Sequence, residues 1–119
     1  SGIWTGTWAA KDQLRQADNL AIFDSISSQL ELTTYQKTIG RTAFGELNLR
    51  ELSSPNGIDA PLVAIMVCAV ACRPDGRVYH PSRADERNDD LFVSLLAELG
   101  YRQGVVFSCY AKVAGRVNL

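Results

Sequence analysis

Ala60-Pro61-Leu62-Val63-Ala64-Ile65-Met66-Val67-Cys68-Ala69-Val70-Ala71-Cys72 decides the fold, because no charged residue interrupts the chain between Asp59 and Arg73. Asp59 can cap a helix that starts here. Pro61 suits the first turn, where backbone N–H groups have no intrahelical acceptor to lose. Apolar residues occupy every face of such a helix, so it has to be enclosed on all sides. A buried strand is the competing reading, since Val and Ile favour sheets. The length of the run, its alanines and its capped entry favour a helix. Pro74-Asp75-Gly76 stops it, and the run is too short to span a bilayer.

Upstream of this hub, Leu14, Ala17, Ala21, Ile22, Ser25, Ile26 and Leu30 recur in steps of three and four, which predicts a first helix from Lys11. Thr33-Thr34 can cap a second, with Tyr35, Ile39, Ala43, Phe44 and Leu47 as its apolar stripe, although Gly40 and Gly45 weaken the helical pattern. Ser53-Ser54-Pro55-Asn56-Gly57 reads as a loop, because Pro and Asn-Gly favour turn geometries. Downstream, Arg77 to Asn88 is polar, contains Pro81 and has no apolar period, so it reads as an exposed connector. Asn88 or Asp89 can cap a fourth helix carrying Leu91, Phe92, Leu95, Leu96 and Leu99, which stops at Gly100. A fifth runs from about Gln103 to Val117, with Val105, Val106, Cys109, Tyr110, Val113 and Val117 facing inward. One central helix with four wrapped around it is the simplest packing that satisfies these stripes. The expected organisation is a single helical domain over 11–119 behind an N-terminal arm, 1–10, that lays Trp4, Trp8 or both on it; Ser1-Gly2 reads as a cloning scar.

The chain has 119 residues, long enough for one domain with a real core, and its 46% hydrophobic and 21% charged residues are ordinary for a globular protein. Twelve basic residues nearly balance thirteen acidic ones, so no global field draws the chain to nucleic acid or to anionic lipid, and any such binding needs a local patch. With no membrane span and no basic segment leading into an apolar secretory core, a cytoplasmic location is expected.

Catalytic chemistry finds little footing. Cys68 and Cys72 share a helical face at a spacing of four, but zinc ligand pairs are usually closer and sit in a turn, and His80 is the one histidine. Core thiols are the better reading, with no metal and no cofactor. A nucleophile would have to use His80 as its base, and a lone surface histidine fits that position better. Asp85, Glu86, Asp89 and Asp90 are interleaved with Arg83 and Arg87, as in a self-compensating solvated loop. Gly76, Gly100 and Gly104 lack the strand and lysine of a phosphate loop. The basic residues of the last helix carry more information. Glu98-Leu99-Gly100-Tyr101-Arg102 is a helix end and tight turn, and the helix after it can show Arg102, Gln103, Ser108, Lys112 and Arg116 outward. The second helix of a helix-turn-helix has this form, with cations for phosphates and short polar side chains for base edges.

The order of these features suggests a family. Asp18-Asn19-Leu20-Ala21, then Leu30-Glu31-Leu32, an amphipathic helix, a loop, Ala60 through Ala71-Cys72-Arg73, and Leu96-Ala97-Glu98-Leu99-Gly100 before a helix ending in Ala111-Lys112-Val113 resemble a cyclin-fold repeat of the archaeal and eukaryotic transcription factor B family. That resemblance implies an all-α, five-helix, cyclin-like orthogonal bundle around the central helix at 60–72, and a non-catalytic domain that contacts promoter DNA or the TATA-binding protein. Family members carry two such repeats and a zinc ribbon. This chain holds one repeat's worth of helices and no ribbon cysteines. Cyclin folds outside transcription present helix grooves to protein partners, which is the second expectation, and an enzyme is the third.

Overall fold

The apolar run becomes a helix over Ala60–Cys72, the bounds its composition suggests, in a computed structural model that describes residues 8–53, 57–83 and 87–119, with the side chains of the first helix described from residue 17. Six α-helices make up these residues, with no strand among them: α1 Trp8–Gln29, α2 Thr34–Glu46, α3 Leu49–Leu52, α4 Ala60–Cys72, α5 Asp90–Leu99 and α6 Gln103–Arg116. A 3-10 turn, Arg73–Asp75, follows α4 and ends at Gly76 in the left-handed region (φ 89°). The chain is therefore all-helical, with one helix more than the five expected. The addition is α3, a four-residue turn too short to show a period, which Asn48 caps through the backbone N–H of Arg50.

Asp59 caps α4 by accepting from the Leu62 N–H, and Leu62 through Cys72 are all buried. Enclosing side chains of this size contributes about 1.5–3 kcal/mol each, which makes α4 the largest single source of core stability. Helices α1, α2 and α6 pack directly on it. The carboxylate oxygen of Asp59 that caps α4 also accepts from the Tyr101 hydroxyl at 2.5 Å, so the start of α4 is tied to the turn before α6.

Helix α1 begins at Trp8, before the Lys11 that periodicity marks, so the last residues of the expected arm are helical; Ile3 to Thr7, Trp4 among them, lie outside the described residues. Its inner face also has a different phase. Phe23, Ile26, Ser27 and Leu30 are buried at steps of three, one and three, whereas Ala17, Ala21 and Ser25 are exposed. Small residues mimic an apolar stripe without needing burial, and they pulled the predicted face toward solvent. The helix ends on Glu31 in the left-handed region (φ 57°). The Leu32 N–H returns to the Ser27 carbonyl and the Glu31 N–H to that of Ser28, the pairing of a Schellman end.

Thr33 caps α2 in a reciprocal box. Its hydroxyl accepts from the Gln36 N–H, while the Gln36 side chain accepts from the Thr33 N–H. Gln36 is itself buried and donates to Asp75 at 2.7 Å, docking the start of α2 on the turn after α4. The inner face of α2 is Gln36, Gly40 and Phe44. Tyr35, expected inside, is 71% exposed. Gly40 does more than tolerate the helix: a β-carbon there would meet the Phe23 ring at 2.8 Å, and that ring is fully buried and stacked on Phe44 at 5.4 Å between centroids. The glycine sets how closely α1 and α2 approach.

The connector departs furthest from expectation. Tyr79, Pro81 and Asn88 are buried, Tyr79 stacks on Phe92 of α5 at 5.8 Å, and Arg77 grips Asp89 through two hydrogen bonds of 3.0 and 3.1 Å. The Arg77 hydrogen bonds hold the Asp89 carboxyl below its ordinary range, and Asp89 in turn raises the arginine. Asp89 also caps α5 at the Leu91 N–H. Phe92, Leu95 and Leu96 carry the inner face of α5, while Leu91 and Leu99, expected inside, are partly exposed. Gly100 closes the helix in the left-handed region (φ 77°).

Candidate nucleic-acid interface

Helix α6 follows α5 after the turn Gly100-Tyr101-Arg102, with Arg102 in the N-cap position and no side-chain cap. Val106, Cys109, Tyr110 and Val113 fix its rotation by burying one face. That rotation decides which predicted contact residues act together. Ser108, Lys112 and Arg116 follow one another at steps of four and form a single row, with Arg102 ahead of its N-terminal end. Ser108 and Arg116 are exposed and Lys112 is half-buried. Arg116 donates to the Lys112 carbonyl at 3.3 Å and lines a groove of about 470 Å³ that α2 closes with Thr38, Thr42 and Glu46. No carboxylate occurs anywhere in α6.

Gln103 does not join this row. Its side-chain amide donates to the Pro81 carbonyl, so it holds the connector rather than facing outward to a base edge. The middle of the outer face is Gly104, Phe107, Ala111 and Gly115, and Phe107 is 49% exposed.

Sequence reasoning missed a second set of polar residues beside α6. The turn His80-Pro81-Ser82-Arg83 is pinned from inside by Asn88. The Asn88 side chain accepts from the His80 N–H at 3.1 Å and donates to the carbonyls of His80 and Arg83 at 3.2 and 2.8 Å. The His80 ring then leans on Tyr110 of α6, with centroids 4.6 Å apart, and Arg73 from the end of α4 donates to the Tyr110 hydroxyl. These residues are up to 37 positions apart, and no local pattern links them. The signal in the sequence is only Pro81 between a histidine and two hydrogen-bonding side chains, which is common in turns.

The three cysteines are free and buried. Burial raises all three thiols, Cys72 to about 11 and Cys109 to about 12, so they stay protonated at neutral pH. Among the described residues no three His, Cys, Asp or Glu side chains gather as metal ligands do, and no helix is long and apolar enough to cross a membrane. Comparison with protein-family models, with curated proteins and with solved structures finds no match to this chain.

Proposed function

We propose that this chain is a transcription-associated, non-catalytic cyclin-like domain, cytoplasmic, that engages promoter DNA through α6, alone or together with the TATA-binding protein. The observation that carries the reading is the row Ser108–Lys112–Arg116 with Arg102 at its head, on a helix free of carboxylates. Such a row offers cations to phosphates and a hydroxyl to a base edge, on a rigid element whose rotation the core fixes. The enclosure of α4 by α1, α2 and α6 supports the cyclin-like arrangement, and the protonated, buried thiols favour a binding role over a catalytic one.

A fluorescence titration with labelled duplex DNA, with and without TATA-binding protein, tests the reading. Binding should weaken as salt rises. Lys112→Ala should reduce the slope of log affinity against log salt by about 0.9, the share of one neutralised phosphate. Absence of duplex binding at low salt in both arms overturns it.

A second reading rests on the half-exposed Phe107 amid Gly104, Ala111 and Gly115, a surface on which the helix of a protein partner could lie close. Under that reading Phe107→Ser abolishes partner binding, while Lys112→Ala leaves it within about twofold, as for a charge at an interface rim.

A further inference from the structure

We propose that the cavity between the end of α4, the His80–Arg83 turn and α6 binds a phosphate monoester. The cavity is open, about 620 Å³, and is lined by Arg73, Tyr79, His80, Ser82, Arg83 and Tyr110, together with the aliphatic side of Val78 and Ala114. None of the described residues lining it is a carboxylate, and neither Arg73 nor Arg83 has an ion-pair partner among the described residues. Two guanidiniums that line one cavity repel, and a bound anion relieves that repulsion.

The remaining polar groups have the same polarity. Arg73 donates to the Tyr110 hydroxyl, which leaves the tyrosine proton free to be donated onward. At His80, the Nδ1 atom faces both the Ser82 N–H at 3.2 Å and the Ser82 hydroxyl at 2.6 Å. Two donors on Nδ1 assign the ring proton to Nε2, so the imidazole too is left with a donor. Arg73, Arg83, the Tyr110 O–H and the His80 Nε2–H are thus all donors. A phosphate monoester supplies three acceptor oxygens and up to two negative charges, and bidentate contact suits guanidinium geometry. The aromatic and aliphatic walls leave room for the organic part of the ester.

The site is also preorganised. Asn88 fixes both ends of the turn from beneath, and Gln103 holds the Pro81 carbonyl from α6, so little ordering remains to be done on binding. The site is independent of the DNA-facing row, because Tyr110 lies about 160° around α6 from Lys112. A phosphomonoester can come from a small metabolite or from the phosphorylated end of a nucleic acid strand, and both present the same chemistry.

Isothermal titration of the full chain distinguishes them. Phenyl phosphate, with phenol as control, probes the small-molecule source; a short single-stranded oligonucleotide with and without its 5′-phosphate probes the other. Expected is binding that requires the phosphate in at least one pair, weakened about tenfold or more by Arg83→Gln and by Arg73→Gln, each the loss of a charge-assisted contact. Lys112→Ala should leave it unchanged, so failure of this proposal and failure of the DNA reading are separate results. Thermal melts of both arginine variants check that the fold is kept; Arg83 is the safer position because the hydrogen bond to the Tyr110 hydroxyl comes from Arg73. Phosphate-dependent binding in one pair alone supports the proposal and names the source. No phosphate-dependent binding in either pair, or binding that both arginine variants leave within about twofold, overturns it.

Discussion

Between Leu62 and Cys72 every side chain is buried and none is charged, whereas the segment from Arg77 to Asp89 is polar along most of its length and still sends Tyr79, Pro81 and Asn88 inside. The first is enclosed because water is a poor solvent for it, and its partners need only be apolar and well packed. The second is enclosed through pairing: Arg77 with Asp89, Asn88 with three backbone groups, Gln103 with Pro81. Apolar burial is written in composition, and polar burial is written only in which groups meet.

Four substitutions break or sharpen that contrast. Ala69→Asp should have the largest effect. Ala69 is 2% exposed in the middle of α4, and an unpaired carboxylate there costs more than about 4 kcal/mol, enough to unfold the domain. Circular dichroism reads the outcome, and a cooperative melt at the wild-type temperature would show that α4 is not enclosed. Asn88→Ala comes next. Removing one amide that makes three hydrogen bonds should lower stability by about 2–3 kcal/mol in a urea titration, at roughly 1 kcal/mol per bond. A change under about 0.5 kcal/mol, as for ordinary surface positions, would return the connector to the solvated loop its composition describes. The smallest effects, and the most diagnostic in sign, come from two glycines. Alanine is the better helix former by up to about 1 kcal/mol, so Gly104→Ala, where a β-carbon meets nothing within 4 Å, should stabilise by a few tenths to about 1 kcal/mol. Gly40→Ala should instead destabilise by about 1–2 kcal/mol, because the Phe23 ring it meets is packed on Phe44 and has little room to move. Thermal melts of the pair, run together, falsify the packing account if both shifts carry the same sign.

The elements that were legible in sequence are those with local signals. Asp59 and Pro61 at the start of α4, Thr33 before α2, and Asp89 and Gly100 around α5 act within a few residues of where they stand, and the helices begin and end there. Faces were less legible than boundaries. Tyr35 took the place of Gln36 on the inner side of α2 because a buried glutamine needs a specific partner, here Asp75, thirty-nine positions away. Phe23 lay off the predicted stripe of α1 because its complement is the absent side chain of Gly40. At the candidate interface, the helix carrying Arg102, Ser108, Lys112 and Arg116 was readable from its turn and its cations. The diversion of Gln103 to Pro81 was not, nor was the meeting of Arg73, His80 and Tyr110, because both depend on where the connector returns against α6.

The Asp59 carboxylate serves two elements through one oxygen, the Leu62 amide at its own helix start and the Tyr101 hydroxyl forty-two positions on. The two contacts differ in what must be ordered to make them: the cap needs only a turn of local chain, while the tyrosine needs a long loop to close. If α6 swings away with its turn, the hydroxyl leaves and the cap stays. The start of α4 therefore keeps its own cap when the tyrosine is lost, and in hydrogen exchange the amides of α6 should be released ahead of those in α4.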